Sequence, residues 1–271
     1  KSFPLRVTRS YVSRMRKGDP DDPLLRQILP ITQELFKSAG YSLDPVGDLN
    51  AMPESGLLHK YKGRALLVTT GACAIHCRYC FRRHFPYNDH LAPSNEWQTA
   101  IDYIESDTSL SEIILSGGDP LSLSDERLHI LTEKLACIPH VKTLRIHTRL
   151  PIALPERIDD HFITWISGIT LKPVMVIHAN HANEIYEEVQ KSLKRLSDVG
   201  VTLLNQSVLL QGVNNDLTSL KQLSEALFAS GVMPYYLHLL DKVQGSKHFA
   251  VNETDAKHLL NRLSACMPGY L

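Results

Sequence analysis

Ala65-Leu66-Leu67-Val68-Thr69-Thr70 runs straight into Gly71-Ala72-Cys73-Ala74-Ile75-His76-Cys77-Arg78-Tyr79-Cys80. The first part is an aliphatic and β-branched run of strand length, and Gly71 ends it. The second part is a loop with three cysteines spaced C-x3-C-x2-C. A strand that delivers thiols from its carboxyl end is the arrangement of an α/β ligand site. Similar runs recur at Glu112–Ser116, Lys142–His147, Pro173–His178, Val201–Ser207 and Met233–His238. Helical stripes separate them: Leu128, Leu131 and Leu135 after Ser122 and Ser124; Ile185 to Val199, stopped by Gly200; Leu217 to Leu227, stopped near Gly231; and Leu259, Leu260 and Leu263 after a Thr254 cap. Strand alternating with helix is the signature of a parallel sheet, and these stripes are core faces packed on it. Both a doubly wound sheet and a partial (β/α)6 barrel fit.

Each of these strands ends on polar residues: Gly71-Ala72-Cys73, Ser116-Gly117-Gly118-Asp119-Pro120, His147-Thr148-Arg149, His178-Ala179-Asn180-His181, Asn205-Gln206, and His238 with Asp241. Ligands bind at the carboxyl ends of strands in both architectures, so this rim is the expected active site. Residues 1–62 read differently. They are punctuated by Pro4, Pro20, Pro23, Pro30, Pro45 and Pro53, with short helical patterns at Tyr11–Arg16 and Leu24–Leu29. They are expected to form a partly helical accessory region, with the main domain spanning 63–271.

Composition narrows the class. The 271 residues carry 29 basic and 29 acidic side chains, which argues against a dedicated nucleic-acid binder. No apolar run approaches the ~20 residues of a membrane span, and no secretory signal is apparent. An odd count of 5 cysteines is no disulfide framework and fits a reduced, cytoplasmic protein. Cys137 and Cys266 stand alone. Cys73, Cys77 and Cys80 could hold zinc, with His76 or His84 as fourth ligand, or an iron–sulfur cluster with one iron left open.

The C-x3-C-x2-C run with Tyr79 before its last cysteine resembles the cluster loop of radical S-adenosylmethionine enzymes. Longer segments are similar to one family within that group: Leu57–Tyr61, Cys77–Tyr87, Leu144–Pro151, Asn180–Glu184, Val201–Leu210 and Met233–His238 through Phe249. These resemble the lysine 2,3-aminomutases, in particular the EpmB type, which supplies (R)-β-lysine for modification of translation elongation factor P. The resemblance implies a radical SAM partial barrel holding a 4Fe-4S cluster on Cys73, Cys77 and Cys80. S-adenosyl-L-methionine would bind Ser116, Gly117, Gly118 and Asp119, with His178 and Gln206. Tyr61 and Arg64 match positions that contact the phosphate of pyridoxal phosphate. Arg82 matches the group that holds the α-carboxylate of L-lysine, and Asp241 the carboxylate that receives its ε-ammonium. His147 and Arg149 fall in the same pocket.

The implied reaction converts L-lysine to (R)-β-lysine through an aldimine with pyridoxal phosphate and a 5′-deoxyadenosyl radical. Two departures from the family stand out. Its Schiff-base lysine and second acidic group correspond to positions after Leu271, so no lysine of this chain is assigned that role. His238 occupies a position where the broader family has tyrosine. Competing readings are another amino-acid 2,3-aminomutase (the opposite enantiomer, or glutamate), a radical RNA-modifying enzyme, and a zinc-stabilised interaction module. Association into a homo-oligomer is also expected from the family.

Overall fold

A computed structural model describes residues 3–90 and 97–271. Its sheet has seven strands: β1 (Leu57–Tyr61), β2 (Arg64–Thr70), β3 (Glu112–Gly117), β4 (Thr143–Thr148), β5 (Lys172–Ile177), β6 (Thr202–Val208) and β7 (Met233–His238). They lie side by side in chain order, and β2 to β7 are all parallel. A doubly wound sheet would reverse that order at a switch point. The order never reverses, so this is a partial (β/α)6 barrel. Among the described residues β7 pairs with β6 alone, leaving the barrel open between β7 and β1.

β1 is antiparallel to β2 across a tight turn at Lys62-Gly63, where Gly63 takes φ +77°. The sequence puts these residues in the accessory region, but they add a strand to the main sheet. The signal was weak because only Leu57 and Leu58 are buried and the rest of the strand faces outward.

Helices fill the crossovers. One-turn helices α1 (Arg9–Val12) and α2 (Pro23–Arg26) lie in the N-terminal region and are shorter than their patterns suggest. α3 (Tyr87–His90) and α4 (Gln98–Ser106) follow β2, and α5 (Asp125–Ala136) follows β3. α6 (Leu150–Ala153) and α7 (Asp160–Gly168) follow β4. α8 (Glu187–Asp198), α9 (Leu217–Ala229) and α10 (Glu253–Cys266) complete the series. Ser124 caps α5 by accepting the Arg127 amide, as its residue type predicts. α10 starts earlier than expected: Asn252, not Thr254, is its cap, and the Asn252 side chain accepts the Thr254 amide.

Period-two alternation separates the two faces of the sheet. On β4, Leu144 and Ile146 enter the core under the helices, each worth ~1.5–3 kcal/mol of burial. His147, on the alternate face just after Ile146, faces the barrel interior and lines its cleft. β6 repeats this, with Leu203, Asn205 and Ser207 buried outward and Gln206 and Val208 lining the cleft. The apolar core therefore sits between sheet and helices, and the barrel's inside carries polar groups such as His147 and Gln206 beside apolar ones such as Leu66 and Val208.

The N-terminal region reaches across to the segment beyond the last strand. The Ser42 amide donates to the Lys242 carbonyl (2.9 Å), and the Gln244 side chain donates to the carbonyls of Ser38 (3.1 Å) and Tyr41 (2.8 Å). Residues just past β7 are thus clasped to the segment before β1, beside the open seam.

Candidate active site

One cleft of about 450 Å3 occupies the carboxyl end of the barrel. Cys73, Cys77, Cys80, Arg82, Ser116, Gly117, Gly118, Asp119, His178, Gln206 and Asp241 all line it. Residues from β2, β3, β5, β6 and the segment after β7 thus converge as the strand-end pattern predicts. Cys137 and Cys266 lie exposed elsewhere.

The cysteine loop is held from outside by the N-terminal region. Arg6 donates to the Cys73 carbonyl (3.0 Å), the His76 amide to the Arg6 carbonyl (2.9 Å) and the Arg78 amide to the Gln27 carbonyl (2.8 Å). Arg78, 2% exposed, pairs through both Nε (2.8 Å) and Nη2 with the Glu34 carboxylate, which also receives Arg83 (2.6 Å). Burial opposes ionisation of Glu34, but the bonds from Arg78 and Arg83 outweigh it and hold its carboxyl below the usual range. Arg78 and Arg83 are therefore anchors of this loop.

Burial pushes the Cys73 thiol up, reinforced by Asp119 and the other two thiols, and pushes Cys80 up to about 11. The mutual effect reflects how closely the sulfurs face one another. Among the described residues no three His, Cys, Asp or Glu side chains stand ready around a single metal ion. A tetrahedral zinc site draws its ligands onto one centre. A cubane distributes three thiolates over three irons. His76 and His84, the candidate fourth zinc ligands, are occupied with the carbonyls of Pro4 (2.9 Å) and Gln244 (3.1 Å).

The glycines after β3 have a reason the sequence alone does not reveal. Gly117 takes φ +121°, and a Cβ there would stand 2.6 Å from the Thr70 carbonyl oxygen. A Cβ on Gly118 would stand 2.3 Å from the Ala72 carbonyl oxygen. The amides of Gly118 and Asp119 donate to Thr70 (2.7 Å) and Ala72 (2.8 Å). The motif therefore grips the stem of the cysteine loop backbone to backbone. Asp119, expected beside the cofactor, turns its carboxylate to the end of β4, accepting from the Thr148 hydroxyl (2.6 Å) and the Arg149 amide (2.8 Å).

Arg82 is buried, with Nε donating to Asp48 (2.8 Å) and Nη1 to the Ser116 hydroxyl (3.0 Å). Asp48 also holds Lys60 (2.5 Å). Burial works against the Asp48 charge; Arg82 and Lys60 overcome it and keep its pKa low. Nothing in the Pro-punctuated sequence around Asp48 signals this role, since its partners come from β1 and the cysteine loop. Asp241 has no ion pair among the described residues, and burial raises its pKa, with His238 opposing and Asp48 reinforcing the rise. His178 bonds the Gln206 carbonyl through Nδ1 (2.7 Å); burial and Arg149 lower its pKa to about 4. Burial lowers His147 to about 3, and its Nε2 is buried with no partner among the described residues.

Tyr61 and Arg64 are not brought to this rim. Arg64 begins β2 six positions before Thr70, roughly 20 Å away at ~3.3 Å per residue. Its guanidinium stacks on the Tyr61 ring (4.6 Å), and its charge, like that of Arg145, reaches Tyr235 on β7.

A sequence model of the radical SAM superfamily matches residues 67–221. The fold and the cysteine-lined cleft accord with that match, and the chain is a radical SAM protein. It is 50% identical over 271 residues to the L-lysine 2,3-aminomutase of Escherichia coli K12, covering all of this chain and 79% of that one. Identity is 46% to the Haemophilus influenzae protein of the same name, with 80% of it covered, and 38% to that of Clostridium subterminale, with 65% covered. Among solved structures, anSMEcpe with bound AdoMet and a Kp18Cys peptide matches with TM-score 0.55 at 12% identity, over 73% of this chain and 57% of that one, which shows the shared fold. The chain belongs to the lysine 2,3-aminomutase family, radical SAM isomerases that use a 4Fe-4S cluster, S-adenosylmethionine and pyridoxal phosphate.

The residues present fit the first two groups. Three converging thiols suit the cluster, and the cleft beside them, with His178 and Gln206 opposite, suits the sulfonium ligand. For pyridoxal phosphate the set is incomplete: no described lysine lines the cleft, and Tyr61 and Arg64 lie toward the other end of the barrel.

Proposed function

We propose that the chain catalyses the 2,3-amino shift of L-lysine to (R)-β-lysine, the product used to modify translation elongation factor P. The observation that carries the reading is a cleft in which a buried guanidinium and a half-buried carboxylate, without an ion pair among the described residues, share one wall system with three thiols. An α-amino acid with a cationic side chain supplies the complement to each. A half-buried aspartate without an ion-pair partner among the described residues is better satisfied once a cation meets it, which favours lysine over glutamate as substrate. The absence of net charge on the chain weighs against an RNA substrate.

In this reading Cys73, Cys77 and Cys80 hold the cluster, which supplies one electron for making the adenosyl radical. Arg82 takes the substrate α-carboxylate on the guanidinium edge that Asp48 leaves free. Asp241 receives the ε-ammonium and fixes how deeply the chain of carbons enters. His178 and His147, kept neutral by burial, border the cleft without adding charge that would repel the sulfonium. Gln206 and the Ser116-Gly117-Gly118 turn border the methionyl side. Tyr61 and Arg64 are proposed to meet the cofactor phosphate from the opposite end of the barrel. We place the reaction in the cytoplasm; no described helix is long and apolar enough to cross a membrane.

The test is anaerobic. The reconstituted protein receives S-adenosylmethionine, pyridoxal phosphate, a reductant and isotopically labelled L-lysine, and products are resolved on a chiral column. (R)-β-lysine is the expected product; the S enantiomer, or turnover of glutamate in place of lysine, overturns the assignment. Mass spectrometry of elongation factor P incubated with the product and its ligase then checks the destination.

A further inference from the structure

Arg149, just past β4, is buried at the cleft wall, and its Nη1 lies 2.7 Å from Cys77 Sγ. Its Nη2 is fixed by three acceptors: Glu184 (2.8 Å), the Gln27 side-chain oxygen (2.6 Å) and the Tyr11 hydroxyl (3.1 Å). Glu184 is itself immobilised, accepting from the amides of Asn180 (2.9 Å) and His181 (3.1 Å) and from Gln27 (3.1 Å). The rings of Tyr11 and Tyr79 flank the guanidinium at 5.3 and 5.7 Å. Swinging away from the sulfur would break this set inside the core, so the contact is built in.

The other two thiols differ. Arg6 meets Cys73 at its carbonyl, and no described guanidinium donates to the sulfur of Cys73 or Cys80. Among the described residues Cys77 alone of the three receives a fixed positive donor. Neither the superfamily match nor the aminomutase reading gives a task to this residue.

We propose that Arg149 is a positioning residue for the cluster's electron, donating an N–H···S bond to the Cys77 ligand and raising the cluster's reduction potential. The inference rests on Cys77 being a cluster ligand. When a one-electron reductant takes the cluster from the 2+ to the 1+ state, the added negative charge spreads onto the ligand sulfurs. A donor and positive charge held against one of them stabilises the reduced form more than the oxidised form. Glu184 offsets part of that charge, so the pair sets the degree of stabilisation. Tyr11 and Gln27 tie this setting to the N-terminal region.

The experiment is a redox titration of the reconstituted holoprotein without S-adenosylmethionine, followed by the electron paramagnetic resonance signal of the reduced cluster. Arg149→Gln should disfavour reduction roughly tenfold, a shift of about 59 mV to more negative potential for one electron. Arg149→Lys, which keeps the charge but loses the fork, should shift less. Glu184→Gln, which leaves Arg149 uncompensated, should move the potential the opposite way. If Arg149→Gln fails to take up iron, the Arg149→Lys and Glu184→Gln pair still decides the sign. Unmoved potentials in the iron-loaded variants overturn the proposal and leave Arg149 a packing residue. Full iron retention in Cys77→Ala would overturn the ligand assignment beneath it, a separate failure.

Discussion

Gly118→Ala should damage the protein before any ligand binds. The added Cβ would lie 2.3 Å from the Ala72 carbonyl oxygen and 2.8 Å from the Gly71 carbonyl carbon, where ordinary contact begins near 3.4 Å. Relief requires about 1 Å of movement in the backbone one residue before Cys73, and that backbone is held by the Asp119 amide. Overpacking of this kind costs ~1–3 kcal/mol, and a contact with immobile backbone belongs at the upper end. At roughly 2–4 °C per kcal/mol for a chain of this size, the apoprotein should melt about 6–12 °C lower. Gly168→Ala is the matched control: nothing lies within 4 Å of its Cβ, and it sits in the last turn of α7. It should be neutral or stabilising by up to ~1 kcal/mol. The assay is a thermal melt of both apoproteins, then iron content after reconstitution. If Gly118→Ala melts with the parent and keeps its iron yet loses S-adenosylmethionine, the glycine serves the ligand and the loop-stem argument is wrong.

Alanine at Cys73, Cys77 or Cys80 should abolish iron uptake, whereas Cys137→Ser and Cys266→Ser, both exposed, should not; iron analysis checks both. Asp241→Ala should weaken L-lysine binding roughly 10- to 150-fold, the worth of a charged hydrogen bond, while S-adenosylmethionine binding holds; equal losses would make Asp241 scaffold. Because burial raises the Asp241 pKa, lysine affinity should fall as pH drops through a value above the usual ~3.9, and Asp241→Asn should flatten that dependence in calorimetric titrations. His178 titrates near 4 in the fold against 6.5 free, so the unfolded chain binds the extra proton and stability should decline as pH falls from about 6.5 towards 4. The shift bounds that loss at ~3 kcal/mol, and His178→Asn should reduce the slope of melting temperature against pH.

The parallel strands were legible because each carries an aliphatic, β-branched or aromatic run with a polar terminus, and a barrel puts those termini on one rim. The spacing of the three cysteines marked the loop but left zinc and a cluster open, and the family resemblance pointed to the cluster. What escaped were residues whose meaning depends on distant partners. Asp48 and Glu34 lie in a stretch without period, yet each neutralises two cations from elsewhere in the chain. Arg78 and Arg83 gave no sign of their anchoring role because burial is invisible in a string of charges. Asp119 sits in a motif that suggests ligand contact, but its acceptor capacity goes to Thr148 and to the Leu121 and Arg149 amides. β1 escaped because two buried leucines cannot announce a strand.

The clasp between Ser38 and Gln244 joins positions 206 apart. A ribosome adding about 5–20 residues per second needs on the order of 10–40 s to make the second partner after the first. Gln27 and Glu34 emerge before Arg78 and Arg83, so the outer brace of the cysteine loop can meet its loop early in synthesis. The fastener beside the open seam cannot close until β7 and the segment past it are out. Iron delivered during translation would therefore meet a braced loop on a barrel not yet latched.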